Sequence, residues 1–138
     1  MVDEEYVRTA YGAWNQGDFE TIWKLLDPGV EIDASSRILN PEVYHGHEGF
    51  RRMVDQMSET WDQWQLEPEA FVAYGDTVLV DARVRARGRG SGVELDQLTY
   101  NLWELQDGKV VRMAFYTDRE EALRDAAKER AGAEPRRT

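Results

Sequence analysis

No cysteine occurs in the 138 residues, so disulfides, thiolate nucleophiles and thiolate-bound metals are excluded, and a reducing compartment is allowed. Histidine is nearly as scarce. His45 and His47 are the only two; their H-x-H beside Gly46 can begin a metal site, but closing one needs further ligands that no neighbouring motif offers. Neither a metal nor another cofactor is expected. Basic residues are also few, 17 against 27 acidic ones, and the net charge of -10 repels phosphate backbones and anionic membranes. Nucleic acid and membrane are therefore not expected as partners. The opening MVDEEYVRTA is acidic where a secretory signal is basic and then apolar, and no apolar run approaches membrane-spanning length, so a cytoplasmic location is expected.

What is present suffices for one core: 41% of residues are hydrophobic and 11% aromatic in a chain of ordinary single-domain length. Val7, Ala10, Tyr11 and Trp14 recur at i, i+3, i+4 and i+7, one face of a helix that Gly17-Asp18 stops. Phe19, Ile22, Trp23 and Leu26 repeat the spacing before Asp27-Pro28-Gly29, so the chain opens with a helical hairpin. Val30 to Asp33 is a short strand candidate. The stretch ASSRILNPEV after it, broken by Asn40-Pro41, is expected to be loop and to border an opening. From Glu48 to about Trp64, Phe50, Met53, Val54, Met57, Trp61 and Trp64 keep helical spacing and predict a third helix across a sheet.

The period then changes to two. In Thr77 to Arg87, Val78, Val80, Ala82, Val84 and Ala86 form one face, while Asp81, Arg83, Arg85 and Arg87 form the other. The arginines, with Arg89, read as a solvated or dimerising sheet face paired with acids such as Glu94, Asp96 and Glu104. The next segment is the most explicit. Thr99, Asn101, Trp103 and Leu105 alternate with Leu98, Tyr100, Leu102 and Glu104, Asp107-Gly108 makes a hairpin turn, and Asp118 ahead of Glu120 and Glu121 opens a helix. Neither face of this hairpin is wholly polar, so both should be covered. Helices first and hairpin-linked strands afterwards predict an α+β domain, with helices on a curved antiparallel sheet.

The order of YGAWNQGDFETIWKLLDPGVEID, YHGHEGFRRM and DGKVVRMAFYTDREEAL, from about Tyr6 to Ala127, resembles the nuclear transport factor 2-like superfamily and, within it, the SnoaL-like proteins. The resemblance implies a cone-shaped, strongly curved sheet wrapped around N-terminal helices (a cystatin-like roll), a pocket between them and commonly a homodimer formed through the sheet. One SnoaL-like domain is expected over residues 1–131, and GAEPRRT at 132–138 reads as a disordered tail. Members of that superfamily are isomerases, epoxide hydrolases, polyketide cyclases, dehydratases and non-catalytic modules, so the fold alone names no reaction.

Carrying the patterns over residue by residue narrows the choice. VEID is similar to the strand where ketosteroid isomerases hold a general-base aspartate, which makes Asp33 the candidate base or acid; a carboxylate in an apolar pocket can move protons near neutral pH. The tyrosine partner of that pattern falls on Ala10, with Tyr11 one residue on and about 100° around the helix, and the second partner falls near Asn101, whose amide can orient a carbonyl or hydroxyl. The Arg-x-Asp of limonene epoxide hydrolases is met only by the reversed Asp81-Ala82-Arg83. The His-Trp-Asp of the SnoaL cyclases is met by Met113-Ala114-Phe115, without its acid. The expected lining for a small apolar molecule is Tyr11, Trp14, Met53, Met57, Trp61 and Phe115. Two functions stay open: an enzyme of isomerase, cyclase, dehydratase or hydrolase type acting through Asp33 and Asn101, or a binding or association module with no turnover.

Overall fold

The computed structural model describes residues 2–36 and 41–133. In chain order the elements are α1 (Val2–Asn15), α2 (Phe19–Leu25), β1 (Leu26–Asp33), β2 (Val43–His45), α3 (Gly46–Thr60), β3 (Trp61–Tyr74), β4 (Thr77–Gly88), β5 (Glu94–Gln106), β6 (Lys109–Tyr116) and α4 (Arg119–Ala133). The strands form one six-stranded sheet in the order β2-β1-β6-β5-β4-β3. Every pairing is antiparallel except that of β1 with β6, which is parallel. Residues 37–40, the centre of the loop expected to border an opening, lie outside the described residues. Of the tail expected from residue 132, α4 already includes Ala133, and 134–138 lie outside the described residues.

Local chemistry accounts for the ends of the elements. Asp18 caps α2, its carboxylate accepting from the Thr21 amide at 3.2 Å, an orphan donor of the first turn. The helix ends at Leu25, one residue short of its apolar spacing, because Leu26 is already extended and pairs with Val110 of β6. Between β5 and β6, Asp107 and Gly108 have φ of 52° and 76°, the two positive values a tight hairpin turn needs if it is to match strand twist. Gly46 turns the chain from β2 into α3 at φ 71°, and a Cβ there would also meet the Pro28 carbonyl at 3.1 Å.

One expected boundary moves. The helix predicted to reach Trp64 stops at Thr60, and Trp61 opens β3 with extended backbone. A bulge explains the helical look of the sequence: β3 shifts register against β4 between Trp61 and Gln63, so one residue is extra. Three residues with one bulged out amount to two in the pleat, and Trp61 and Trp64 therefore point the same way.

Two cores sandwich the sheet. On the inner face, α1 to α3 cover Val30, Ile32, Val78, Val80, Ala82, Trp103, Leu105 and Met113 with Val7, Tyr11, Ile22, Phe50 and others. On the outer face, α4 lays Ala122 and Ala126 on Leu79, Leu102 and Ala114. The expectation that both sides of the last hairpin are covered is met by these two layers. The arginine face stays partly open and ion-paired: Arg83 reaches Glu69 at 3.1 Å and Asp96 at 2.9 Å, Arg85 reaches Glu67 at 3.1 Å, and Arg89 reaches Asp62 at 2.8 Å. Asp96 is thus a partner as expected, while Glu67, Glu69 and Asp62 of β3 fill the other places. Exposed pairs of this kind contribute little stability each.

Candidate functional site

A cavity of about 350 Å³ opens between the inner face of the sheet and the helices, within the size range of small-molecule sites. One wall follows from strand period alone: alternate residues of β5, from Leu95 through Gln97, Thr99 and Asn101 to Trp103, all face it. The opposite wall is helical, with Tyr11 and Trp14 from α1 and Met53, Gln56 and Met57 from α3. Trp61 and Trp64 join on the bulged strand, their rings edge to face at 5.2 Å.

α1 is held to this wall by polar bonds that fix its aromatic side chains. The Trp14 indole donates to the Trp64 carbonyl at 3.0 Å. Asn15 clamps Leu66, accepting from its amide at 2.8 Å and donating to its carbonyl at 2.6 Å. Backbone groups of β3 facing the helices are thereby satisfied.

The buried polar centre of the cavity is Tyr11. Its hydroxyl accepts from Asn101 Nδ2 at 2.7 Å and from Trp103 Nε1 at 3.1 Å, and all three residues are buried. The Trp103 ring packs edgewise on Tyr11 at 5.5 Å, and Phe71 does so at 6.4 Å, fixing the phenol on two sides. A phenol has one proton and two lone pairs; with both lone pairs engaged by N–H donors, its own proton is left to donate. The one-residue offset from the position the resemblance marks does not remove the phenol, since Ala10 and Tyr11 both line the cavity.

Burial pushes the Tyr11 phenol above the ordinary tyrosine value of 10.0, while the two N–H donors pull it down by less. The sign for stability follows. Above pH 10 the unfolded chain releases this proton while the folded one keeps it, so stability falls as pH rises, by about 1.4 kcal/mol per pH unit. Below pH 10 the contribution is fully present. Urea unfolding of the wild type is expected to weaken more steeply above pH 10 than that of Tyr11→Phe. Equal slopes would mean that the phenol ionises freely in the folded protein.

The other expected lining residues, Trp14, Met53, Met57, Trp61 and Phe115, meet around the same cavity. Asp33 does not. Val30 and Ile32 take the inner face of β1, Ala34 just after it is buried on the same side, and period two turns Asp33 to the outer face. There it accepts from the Ser35 amide at 3.0 Å and lies 3.8 Å from Arg112, which also holds Asp125 of α4 at 2.9 Å. The expectation of Asp33 as an acid or base in the pocket is corrected on this ground. Among the described residues, no Asp, Glu, His, Lys or Arg lines the cavity.

The histidines are also elsewhere. His45 is exposed, and His47 stacks on Trp23 at 4.5 Å with Nε2 3.0 Å from the Leu26 carbonyl. No cluster of three or more His, Asp or Glu that could hold a metal occurs among the described residues. No helix among them is long and apolar enough to cross a membrane.

Polar lining residues beyond the sequence expectation include Gln56, Gln97 and Thr99. Gln97 and Thr99 were readable, lying four and two positions before Asn101 on the same face, and Gln56 lies three after Met53 on α3. Thr99 donates to the Ala82 carbonyl at 2.8 Å, and the Gln56 amide oxygen accepts from the Tyr44 hydroxyl at 2.6 Å.

Comparison with known proteins agrees with this architecture. A SnoaL-like domain matches residues 7–113. No curated protein matches the sequence. Among solved structures, an NTF2-like protein of unknown function from Burkholderia pseudomallei superposes with a TM-score of 0.77 at 20% identity, covering 90% of this chain and 96% of that one. TerC co-crystallised with polyporic acid gives 0.76 at 20% identity, covering 92% and 99%. A candidate SnoaL-like polyketide cyclase from Jannaschia sp. CCS1 gives 0.74 at 22%, covering 88% and 89%. At these identities the structures establish the fold and not the chemistry. With most of its length matched and the curved six-stranded sheet held in common with these NTF2-like proteins, the chain belongs to the SnoaL-like family.

Proposed function

We propose that the protein takes an uncharged, largely apolar, carbonyl- or hydroxyl-bearing molecule into the cavity and acts on it by polarising that oxygen through the Tyr11 hydroxyl. The observation that carries this reading is the pair of N–H donors on the Tyr11 oxygen, which leaves its proton for a ligand inside an apolar wall. Hydrogen bonds to developing charge are strongest where water is excluded. On a ketone, such a donor favours the enol: the α-carbon proton passes to solvent water at the cavity mouth, the oxygen gains charge against the Tyr11 hydroxyl and then takes a proton back from solvent, since no carboxylate or imidazole among the described residues lines the cavity. Isomerisation, cyclisation and dehydration all begin this way. Asn101 and Trp103 then act through Tyr11, as positioning residues.

The same want of a built-in base supports a second reading, a binding module of this fold that retains its ligand without turnover. The two differ in a measurable proton. With 4-acetylbiphenyl in D2O, the enzyme reading expects protein-dependent deuteration of the acetyl methyl group by NMR, lost in Tyr11→Phe and kept in Asp33→Asn. Binding with no exchange above buffer would leave the module reading, and loss of exchange in Asp33→Asn would restore the carboxylate as base.

The homodimer is proposed on the broad sheet face bearing Arg83 and Arg85. Native mass spectrometry of protein from its own host addresses both ligand and assembly: a mass of two chains with retained small molecules is expected. A bare single-chain mass would refute the dimer and weigh against a tightly held ligand.

A further inference from the structure

The polar stripe of β5 is spent unevenly. Asn101 is engaged with Tyr11 and Thr99 with the Ala82 carbonyl, but the Gln97 side chain forms no hydrogen bond or ion pair with any described residue. It is half-buried and faces the cavity. Across from it, on α3, Gln56 has its amide oxygen occupied by Tyr44, which leaves its NH2 group without a partner among the described residues. A half-buried amide in apolar surroundings loses free energy if it stays unpaired. Two such amides lining one cavity call for polar atoms on what fills it.

Resting on the reading of Tyr11 as a carbonyl donor, we propose that Gln97 and Gln56 form a second polar subsite, so that the ligand is an elongated apolar molecule with an uncharged oxygen acceptor at each end. Gln97 lies four strand residues from Asn101, which sets the two ends about 13 Å apart. Tyr11 and Gln56 each have only a donor left and Gln97 has an amide with both donors and an acceptor, so the set as a whole favours acceptors on the ligand. The acceptors are neutral, because a carboxylate would enter a cavity in which no described lining residue is Lys or Arg, within a protein of net charge -10. Gln97 is thus the residue that sets ligand length.

The test uses two rigid probes, 4,4'-diacetylbiphenyl with a ketone at each end and 4-acetylbiphenyl with one, titrated against the fluorescence of the cavity tryptophans. Wild type is expected to bind the diketone about tenfold more tightly. Gln97→Leu should erase that preference by weakening the diketone alone. Gln97→Glu, which keeps the shape but replaces donors by a repelling carboxylate, should do the same and stands in if the leucine variant fails to fold. Equal affinity for both probes in wild type, or a preference untouched by either variant, overturns the second subsite while binding of the monoketone still supports the Tyr11 site. If wild type binds neither probe, the carbonyl reading and the subsite fall together.

Discussion

Tyr11→Phe is expected to destabilise the fold by about 2–4 kcal/mol and to abolish methyl deuteration of bound ketone, although only one oxygen is removed. The reason is what that oxygen receives. Asn101 Nδ2 and Trp103 Nε1 both donate to it inside a wall that is otherwise largely apolar. Each donor left unmet costs about 1–3 kcal/mol, more than a typical hydrogen bond contributes net. Asn101→Leu in the Tyr11→Phe background removes one stranded donor, so the double variant should be more stable than the sum of the single losses predicts. Urea denaturation of the four proteins reads this coupling. Additive losses would show that the three side chains do not act as one network, and the case for an oriented Tyr11 proton would lose its support.

The second large effect is expected on the opposite face. Arg112→Ala should cost about 2–4 kcal/mol and speed amide exchange in α4 more than in α3. Arg112 makes a forked contact with Asp125, at 3.3 and 2.9 Å, and also reaches Glu31 at 3.4 Å and Asp33 at 3.8 Å. Tyr116 donates to the same Asp125 carboxylate. The Asp125 side chain is only 11% exposed, so removing the guanidinium leaves a poorly solvated carboxylate facing two like charges. Arg112→Lys should recover part of the loss, as it restores charge without the fork. Unchanged exchange in α4 would mean that Ala122 and Ala126 hold the helix on their own.

Where the sequence was read by period alone, the structure agrees closely. Val78 to Ala86 and Thr99 to Leu105 face inward by alternation, and Asp107-Gly108 makes its turn with two positive φ values. Trp61 and Trp64 keep helical spacing in the sequence because a bulge in a strand and a turn of a helix leave the same pattern. For Asp33 two signals conflict: the similarity of VEID to a catalytic strand points it into the pocket, while the plain alternation of Val30, Ile32 and Ala34 turns it outward, and the alternation holds. The Tyr11 to Asn101 bond spans 90 residues, and no local pattern states which side chain of α1 meets which residue of β5. The significance of Gln97 lies in its having no side-chain partner among the described residues, a property only coordinates disclose.

The parallel seam between β1 and β6 bears on how the molecule comes into being. Glu31 pairs with Arg112 across 81 residues, and the other strand that β1 pairs with is the three-residue β2. While the chain is being synthesised, the first three helices thus carry apolar faces for which the central strands do not yet exist. Contacts of this separation form late and slowly. The cavity, whose walls come from α1 at one end of the chain and β6 at the other, is for that reason among the last parts of the protein to take shape, and the nascent chain passes most of its growth with its ligand-facing surface open.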